Sequence, residues 1–342
     1  MPSPLAAGPA VAPDEPRETC VLLVQLGTPD APEPGAVRRY LRQFLSDPRV
    51  VEIPRAIWLP ILHAFVLTRR PRASAAKYRS IWMPEGSPLL VHSQRQAAGL
   101  QRAMGAAGRR VRVALAMRYG EPGLVSVLRR LRDEGMQRLL VLPMYPQYSA
   151  STAASVFDAV GRELRSWRVQ PELRTVRQFH DDPGWIAALA ARLRSAWQRD
   201  GRPARLVLSF HGLPQRSVDL GDPYQAQCRQ TADLLAAALG LGADEVLVTF
   251  QSRFGKARWL APYTDRTLEA LGRQRVARVD VACPGFVVDC IETLEEIAIE
   301  GRQTFERAGG GEFRYQPCLN DDPAAIDALQ ALCDRHLQGW PV

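Results

Sequence analysis

The chain has 342 residues, of which 46% are hydrophobic, 7% aromatic and 23% charged, a composition that excludes a disordered, fibrous or disulfide-stapled protein. Lysine plus arginine outnumber aspartate plus glutamate 44 to 36, a formal charge of +8. Only Lys77 and Lys256 are lysines, and acids are interspersed among the arginines, so no nucleic-acid-binding arm is present and no nucleic-acid partner is expected.

At about 100–200 residues per domain, the length predicts two domains. Residues 1–18, rich in Ala and Pro without a basic start and apolar run, read as a disordered tail and not a signal peptide. Residues 20–26 (Cys-Val-Leu-Leu-Val-Gln-Leu) form a buried-strand candidate that stops at Gly27-Thr28-Pro29. Residues 57–67 are almost wholly apolar and are followed by Arg69, Arg70 and Arg72. They fit either a buried helix with a basic end or an apolar lip on a bilayer whose arginines reach lipid phosphates. No stretch approaches the roughly 20 apolar residues of a spanning helix.

Further strands are expected at 111–117 and 138–144, with a helix at 124–134 between them. The hydroxyl-rich segment Tyr145-Pro-Gln-Tyr-Ser149 to Thr152 follows directly, a loop type that leads into an anion-binding helix N-terminus. A domain boundary is expected near 179–184. Beyond it, strands at 205–210, 245–250 and 278–283 alternate with helices at 224–239 and 264–273. Strands alternating with helices imply parallel sheets covered on both faces, with ligands beyond the carboxyl ends of the strands.

Three features fall at such ends. His211, in Ser209-Phe-His-Gly-Leu-Pro214, follows a strand and precedes Gly and Pro, which puts an imidazole at a sheet rim. Gln251-Ser252-Arg253 to Trp259-Leu260 mixes cations with an indole, suiting a flat aromatic acid or a plain surface loop. Glu292, Glu296 and Glu300 recur every four residues, with Ile291, Leu294 and Ala298 as the apolar stripe. Like charges so spaced cost a helix about 0.2–0.5 kcal/mol per pair. The row is therefore either a solvated face or a path for a divalent cation. Cysteines at 20, 228, 283, 290, 318 and 333 form no CxxC pair and fit reduced thiols.

Together these segments resemble the ferrochelatase family over about residues 21–340. The most specific elements are Leu208-Ser-Phe-His-Gly-Leu-Pro214 followed by Gly221-Asp-Pro-Tyr224. Met117-Arg-Tyr-Gly120, Tyr145–Ser149, Phe250–Arg253 with Trp259-Leu260, and Asp289–Glu296 add to it. The resemblance implies an α/β chain of two Rossmann-like domains, each with a parallel four-stranded sheet, around a porphyrin cleft. Residues 19–179 plus 321–342 would form the first domain, and 180–320 the second. It implies insertion of ferrous iron into protoporphyrin IX to give protohaem, with coproporphyrin or another tetrapyrrole and metal as the alternative. It assigns His211 and Glu292 to catalysis, and His211, Glu292, Glu296 and Glu300 to the metal. Leu26, Arg79, Tyr145, Ser252, Trp259 and Phe286 become porphyrin positions. Cys290 stands where some relatives have His, and Leu26 where some have Met. Cys318 and Cys333 do not match the iron–sulfur ligands of other relatives, so no cluster is expected. A cytoplasmic protein in peripheral contact with the inner face of the membrane completes the expectation. A solute-receptor reading lacks an export signal, and a serine hydrolase on Ser209 lacks the Gly-x-Ser-x-Gly elbow.

Overall fold

The computed structural model describes residues 18–255 and 257–342. The expected tail, up to residue 17, and Lys256 lie outside the described residues. Glu18, read from the sequence as the end of that tail, instead opens the first strand and pairs with Met136.

The chain divides into two units. The first takes the described residues up to Met144, then Ala150–Gln178 and Ile326–Val342; the second holds Tyr145–Ser149 and Phe179–Ala325. Each contains one four-stranded parallel sheet. In the first unit β1 (Glu18–Gly27), β2 (Val111–Tyr119), β3 (Met136–Pro143) and β4 (Glu172–Thr175) are ordered β2-β1-β3-β4. Cys20 to Val24 are buried, as a central strand covered on both faces requires. At the carboxyl end of β1, Gly27 sits at φ +116°, and a Cβ there would fall 1.6 Å from the Tyr119 carbonyl oxygen. Only glycine lets these two strand ends meet.

The second unit repeats the scheme with β5 (Arg205–His211), β6 (Val246–Gln251), β7 (Arg278–Ala282) and β8 (Glu312–Gln316), ordered β6-β5-β7-β8. The helices Tyr224–Leu239 and Thr264–Arg273 have the bounds their periodicity predicts. β4 and β8, not expected individually, are edge strands, as are β2 and β6, but only β2 and β6 carry apolar runs. Three of the four residues of β4 are exposed, and β8 alternates Phe313 and Tyr315 with polar residues, so neither shows the unbroken apolar run of a central strand.

A buried polar network closes the first unit around Asp47. Its carboxylate accepts from Ser155 Oγ at 2.6 Å, Tyr119 Oη at 2.8 Å and the Arg49 N–H at 2.8 Å, and pairs with Arg118. Burial alone would raise the Asp47 pKa, but these hydrogen bonds and the Arg118 charge together hold it below the usual value. The unfolded chain therefore takes up this proton first. The stabilisation is complete above roughly pH 4 and is lost as pH falls through the lower folded value. Asp47→Asn should flatten the acid limb of a plot of urea-unfolding free energy against pH; an unchanged limb would remove Asp47 from the acid response.

The apolar segment after residue 56 is partly core and partly exposed. It forms the helix Arg55–Ile61, a π-helical turn Leu62–Val66 and the start of the helix Leu67–Ile81. Trp58, Leu62 and Leu67 are core residues packed with Leu45, and the Trp58 indole donates to the Leu45 carbonyl at 2.6 Å. Ile57 and Phe65 are 57% and 58% exposed, and Ile53 and Ile61 are also exposed. The outward apolar residues are thus Ile53, Ile57, Ile61 and Phe65, not Trp58 and Leu62.

Candidate active site

The second unit gathers most of the expected residues at the carboxyl ends of its strands. His211 is the last residue of β5, not the first after it. Its Nδ1 lies 2.7 Å from the carbonyl oxygen of Gly212. A carbonyl only accepts, so in the neutral ring Nδ1 carries the proton and Nε2 keeps a free lone pair. The ring centroid is 6.5 Å from that of Phe286. Gly212 has no room for a side chain: a Cβ would lie 2.6 Å from the Gln251 carbonyl oxygen and 3.2 Å from the Trp259 ring. Trp259 is held in turn by its indole N–H, which donates to the Phe254 carbonyl at 2.7 Å.

The acidic segment begins where Asp289 and Cys290 are buried beyond β7. The Asp289 carboxylate accepts from Asn320 Nδ2 at 2.7 Å, Thr293 Oγ1 at 3.0 Å and the Tyr315 hydroxyl. Cys290 caps the turn, its N–H donating to Thr293 Oγ1 at 3.0 Å. Burial first, and then the Glu292 carboxylate, push its thiol well above the usual range, so it stays neutral.

After the turn Ile291–Thr293 the chain is π-helical over Leu294–Gly301 and becomes α-helical again at Arg302–Arg307. This departs from the α-helix expected and changes which residues face inward. With i→i+5 bonding a turn takes more residues, and Thr293, Ile297 and Gly301 form the buried line in place of Ile291, Leu294 and Ala298. Gly301 packs closely there: a Cβ would come 3.1 Å from the Leu268 side chain, which would have to shift by a few tenths of an ångström. Glu292, Glu296 and Glu300 run one residue ahead of this line, the first two half-buried and the third exposed. Among the described residues no group of three or more His, Cys, Asp and Glu is arranged to hold a metal ion.

Glu296 is the most constrained of the three. Ser252 N–H donates to it at 2.7 Å and the Ser252 hydroxyl donates to its other oxygen. Ser252 reaches this position at φ +62°, a left-handed conformation that costs on the order of 1 kcal/mol outside glycine and aims both donors at one carboxylate. Burial nevertheless raises the Glu296 pKa above the usual carboxylate value. The Ser252 hydrogen bonds and the nearby His211 pull it down, and Glu292 adds to the rise.

Tyr145, half-buried, belongs to a loop fixed to the helix Tyr224–Leu239. Gln147 Nε2 donates to Thr231 Oγ1 at 2.9 Å, Tyr148 N–H to Gln227 at 2.7 Å and Ser149 Oγ to Asp222 at 3.0 Å. Gln147 also approaches Gly285, next to Phe286, where a Cβ would lie 3.3 Å from its Oε1. The structure thus brings His211, Glu292, Glu296, Ser252, Trp259 and Phe286 to one sheet end, with the Tyr145 loop packed at Gly285. Leu26, half-buried in β1, and Arg79, exposed on the helix Leu67–Ile81, belong to the first unit. Sequence reasoning assigned no role to Gln251; its only signal was its place between a strand and Ser252.

The chain is similar to known proteins along nearly its full length. The sequence model of the family Ferrochelatase matches residues 18–337. A ferrochelatase of Azoarcus sp. is 60% identical over 322 residues, covering 94% of this chain and 88% of that protein. One from Bordetella pertussis is 57% identical over 326 residues, covering 95% and 90%. Among solved structures, SirB from Bacillus subtilis with Fe3+ superposes with a TM-score of 0.58 at 13% identity, covering 94% of this chain and 96% of that one. A sirohydrochlorin chelatase SirB in complex with cobalt gives 0.53 at 12% identity, covering 94% and 97%. At such identities these two show a shared fold.

Proposed function

We propose, from the premise that this chain belongs to the ferrochelatase family and inserts ferrous iron into a porphyrin in haem synthesis, that insertion occurs at His211 and Glu292 on protoporphyrin IX. The observation that carries this reading is the Nδ1–Gly212 hydrogen bond, which leaves His211 Nε2 as a free base beside Phe286.

A free porphyrin is flat, and its two pyrrole N–H protons fill the hole that iron must enter. Binding energy spent on bending the macrocycle turns nitrogen lone pairs towards one face. A neutral imidazole with Nε2 free accepts a leaving pyrrole proton, or holds the metal during transfer. Glu292 and Glu296 offer hard oxygen ligands to Fe2+, and exposed Glu300 draws the cation towards them. Trp259, Phe286 and Tyr145 suit the ring faces of a tetrapyrrole. Ser252 acts on this reading through Glu296. The reading includes no iron–sulfur cluster. Stopped-flow porphyrin emission after mixing with Fe2+ tests it: the emission should disappear with wild-type protein and persist with His211→Ala.

Protoporphyrin, rather than a more polar porphyrin, is favoured by the outward Ile53, Ile57, Ile61 and Phe65 beside exposed Arg69, Arg70 and Arg72. No helix among the described residues is long and apolar enough to cross a membrane. These residues would instead lie at the surface of the inner face, each arginine adding about 1 kcal/mol at an anionic leaflet. The triple change Ile57, Ile61 and Phe65 to Ser should abolish sedimentation with anionic vesicles while leaving the melting temperature within a few degrees. Leu62→Ala, by contrast, empties a fully buried site and should cost about 2–5 kcal/mol of stability. Undiminished vesicle binding by the triple variant would remove this surface from the account.

A further inference from the structure

Gln251 ends β6, and only 3% of it is exposed. Its side-chain oxygen accepts from Ser209 Oγ at 2.7 Å, on β5, and from Cys283 Sγ at 3.7 Å, just beyond β7. Its side-chain nitrogen donates to the Glu292 carbonyl at 2.6 Å and reaches Glu296 Oε2 at 3.4 Å. Its own carbonyl accepts from the Gly212 N–H at 2.7 Å. One residue thus touches three strand ends, the backbone of one expected metal residue, the carboxylate of another and the turn after His211.

The chemistry of these neighbours singles out an amide. Ser209 and Cys283 present donors on one side, while a carbonyl and a carboxylate present acceptors on the other. A flipped amide would set its oxygen against both acceptors, so the orientation is fixed. A carboxylate at 251 would repel Glu296, and an apolar side chain would leave the part-buried Glu292 carbonyl without this donor. Ser209 Oγ lies 2.8 Å from Thr264 Oγ1, which lies 2.9 Å from Thr249 Oγ1. The amide is therefore held from behind by a chain of buried hydroxyls and directs its donors at the acidic segment.

We propose that Gln251 is a positioning residue for metal delivery, fixing the first turn of the acidic segment and the Glu296 carboxylate relative to the His211 turn. This rests on the metal reading of His211, Glu292 and Glu296 given above and assigns the element that holds them in register. Small errors in ligand placement are costly when a metal must pass between them, whereas the porphyrin is held by other side chains. Loss of the amide should therefore act on the metal and spare the porphyrin.

The test uses Gln251→Met, which keeps length and volume, and Gln251→Asn, which keeps the amide but withdraws it by one methylene. Each is measured for the Fe2+ dependence of insertion under anaerobic conditions, protoporphyrin affinity by fluorescence titration, and melting temperature. The expected result is a roughly tenfold fall in kcat/KM for Fe2+, about 1.4 kcal/mol, carried mainly by KM, with porphyrin affinity changed less than about twofold. Unchanged Fe2+ parameters in a folded variant would overturn the proposal. So would a parallel loss of porphyrin affinity, metal use and melting temperature, or failure of both variants to fold, because each assigns Gln251 to the core alone. Glu296→Gln is run beside them. If it raises the Fe2+ KM and the Gln251 variants do not, positioning fails while the metal reading stands. If Glu296→Gln leaves the Fe2+ KM unchanged, the metal reading itself fails and the proposal falls with it.

Discussion

Replacing His211 with alanine should abolish iron insertion and leave porphyrin bound. The imidazole is committed on one side only: Nδ1 faces the Gly212 carbonyl, and that bond fixes both the tautomer and the ring plane. Nε2 is then the one nitrogen free to act as base or metal ligand. Groups in such roles contribute about 10²–10⁴ in rate, so a loss of that size in kcat is expected at saturating Fe2+. The aromatic residues that suit the macrocycle, Phe286, Trp259 and Tyr145, do not depend on the His211 side chain. Porphyrin affinity by fluorescence titration should accordingly stay within a few fold. A variant that kept more than about a tenth of the wild-type rate, a barrier change below ~1.4 kcal/mol, would show that His211 does not carry the step.

Glu292→Gln should be nearly as damaging, and the effect should decline along the row. Glu292 sits in the turn whose backbone is tied to Gln251 and whose start is fixed by Asp289, Asn320 and Tyr315. The backbone of this turn thus has little freedom, and Glu292→Gln removes the charge and one of the two carboxylate oxygens from it. Glu300 is exposed at the outer end, where a charge raises the local cation concentration without entering the chemical step. Glu300→Gln should therefore raise the Fe2+ KM a few fold with kcat intact, and that rise should shrink at high ionic strength. Equal losses of kcat for Glu292→Gln and Glu300→Gln at saturating Fe2+ would contradict a graded path.

His211 could be singled out from the sequence because three local signals agreed: an apolar run that ends at Phe210, then Gly212, then Pro214. The central strands were legible for the same reason, since a strand buried on both faces must be apolar at nearly every position. β4 and β8 were not, because Glu172–Thr175 and Glu312–Gln316 set few apolar residues among polar ones, a pattern that resembles a loop, whereas β2 and β6, also at sheet edges, keep apolar runs. The acidic row was visible as a spacing, but its inner face was not. The α-helical period put Ile291, Leu294 and Ala298 inside, whereas the π-helical stretch buries Thr293, Ile297 and Gly301. Nothing in a linear pattern announces that change of period. Trp58 and Leu62 look as exposed on paper as Ile57 and Phe65; only the packing against Leu45 separates them. The segment Gln251-Ser252 stood out in the sequence, but its hydrogen bonds to the acidic segment did not, because they come from a left-handed backbone and a buried amide shared by three strand ends.

The most direct test is a single turnover. Wild-type protein is loaded with one equivalent of protoporphyrin IX under argon, Fe2+ is added, and free-base emission and the haem absorption band are followed together. The account predicts that emission disappears as the haem band rises, far faster than in protoporphyrin and Fe2+ without protein, and that His211→Ala retains its emission. Persistent emission from the wild type at saturating Fe2+, or equal rates for wild type and His211→Ala, would contradict it.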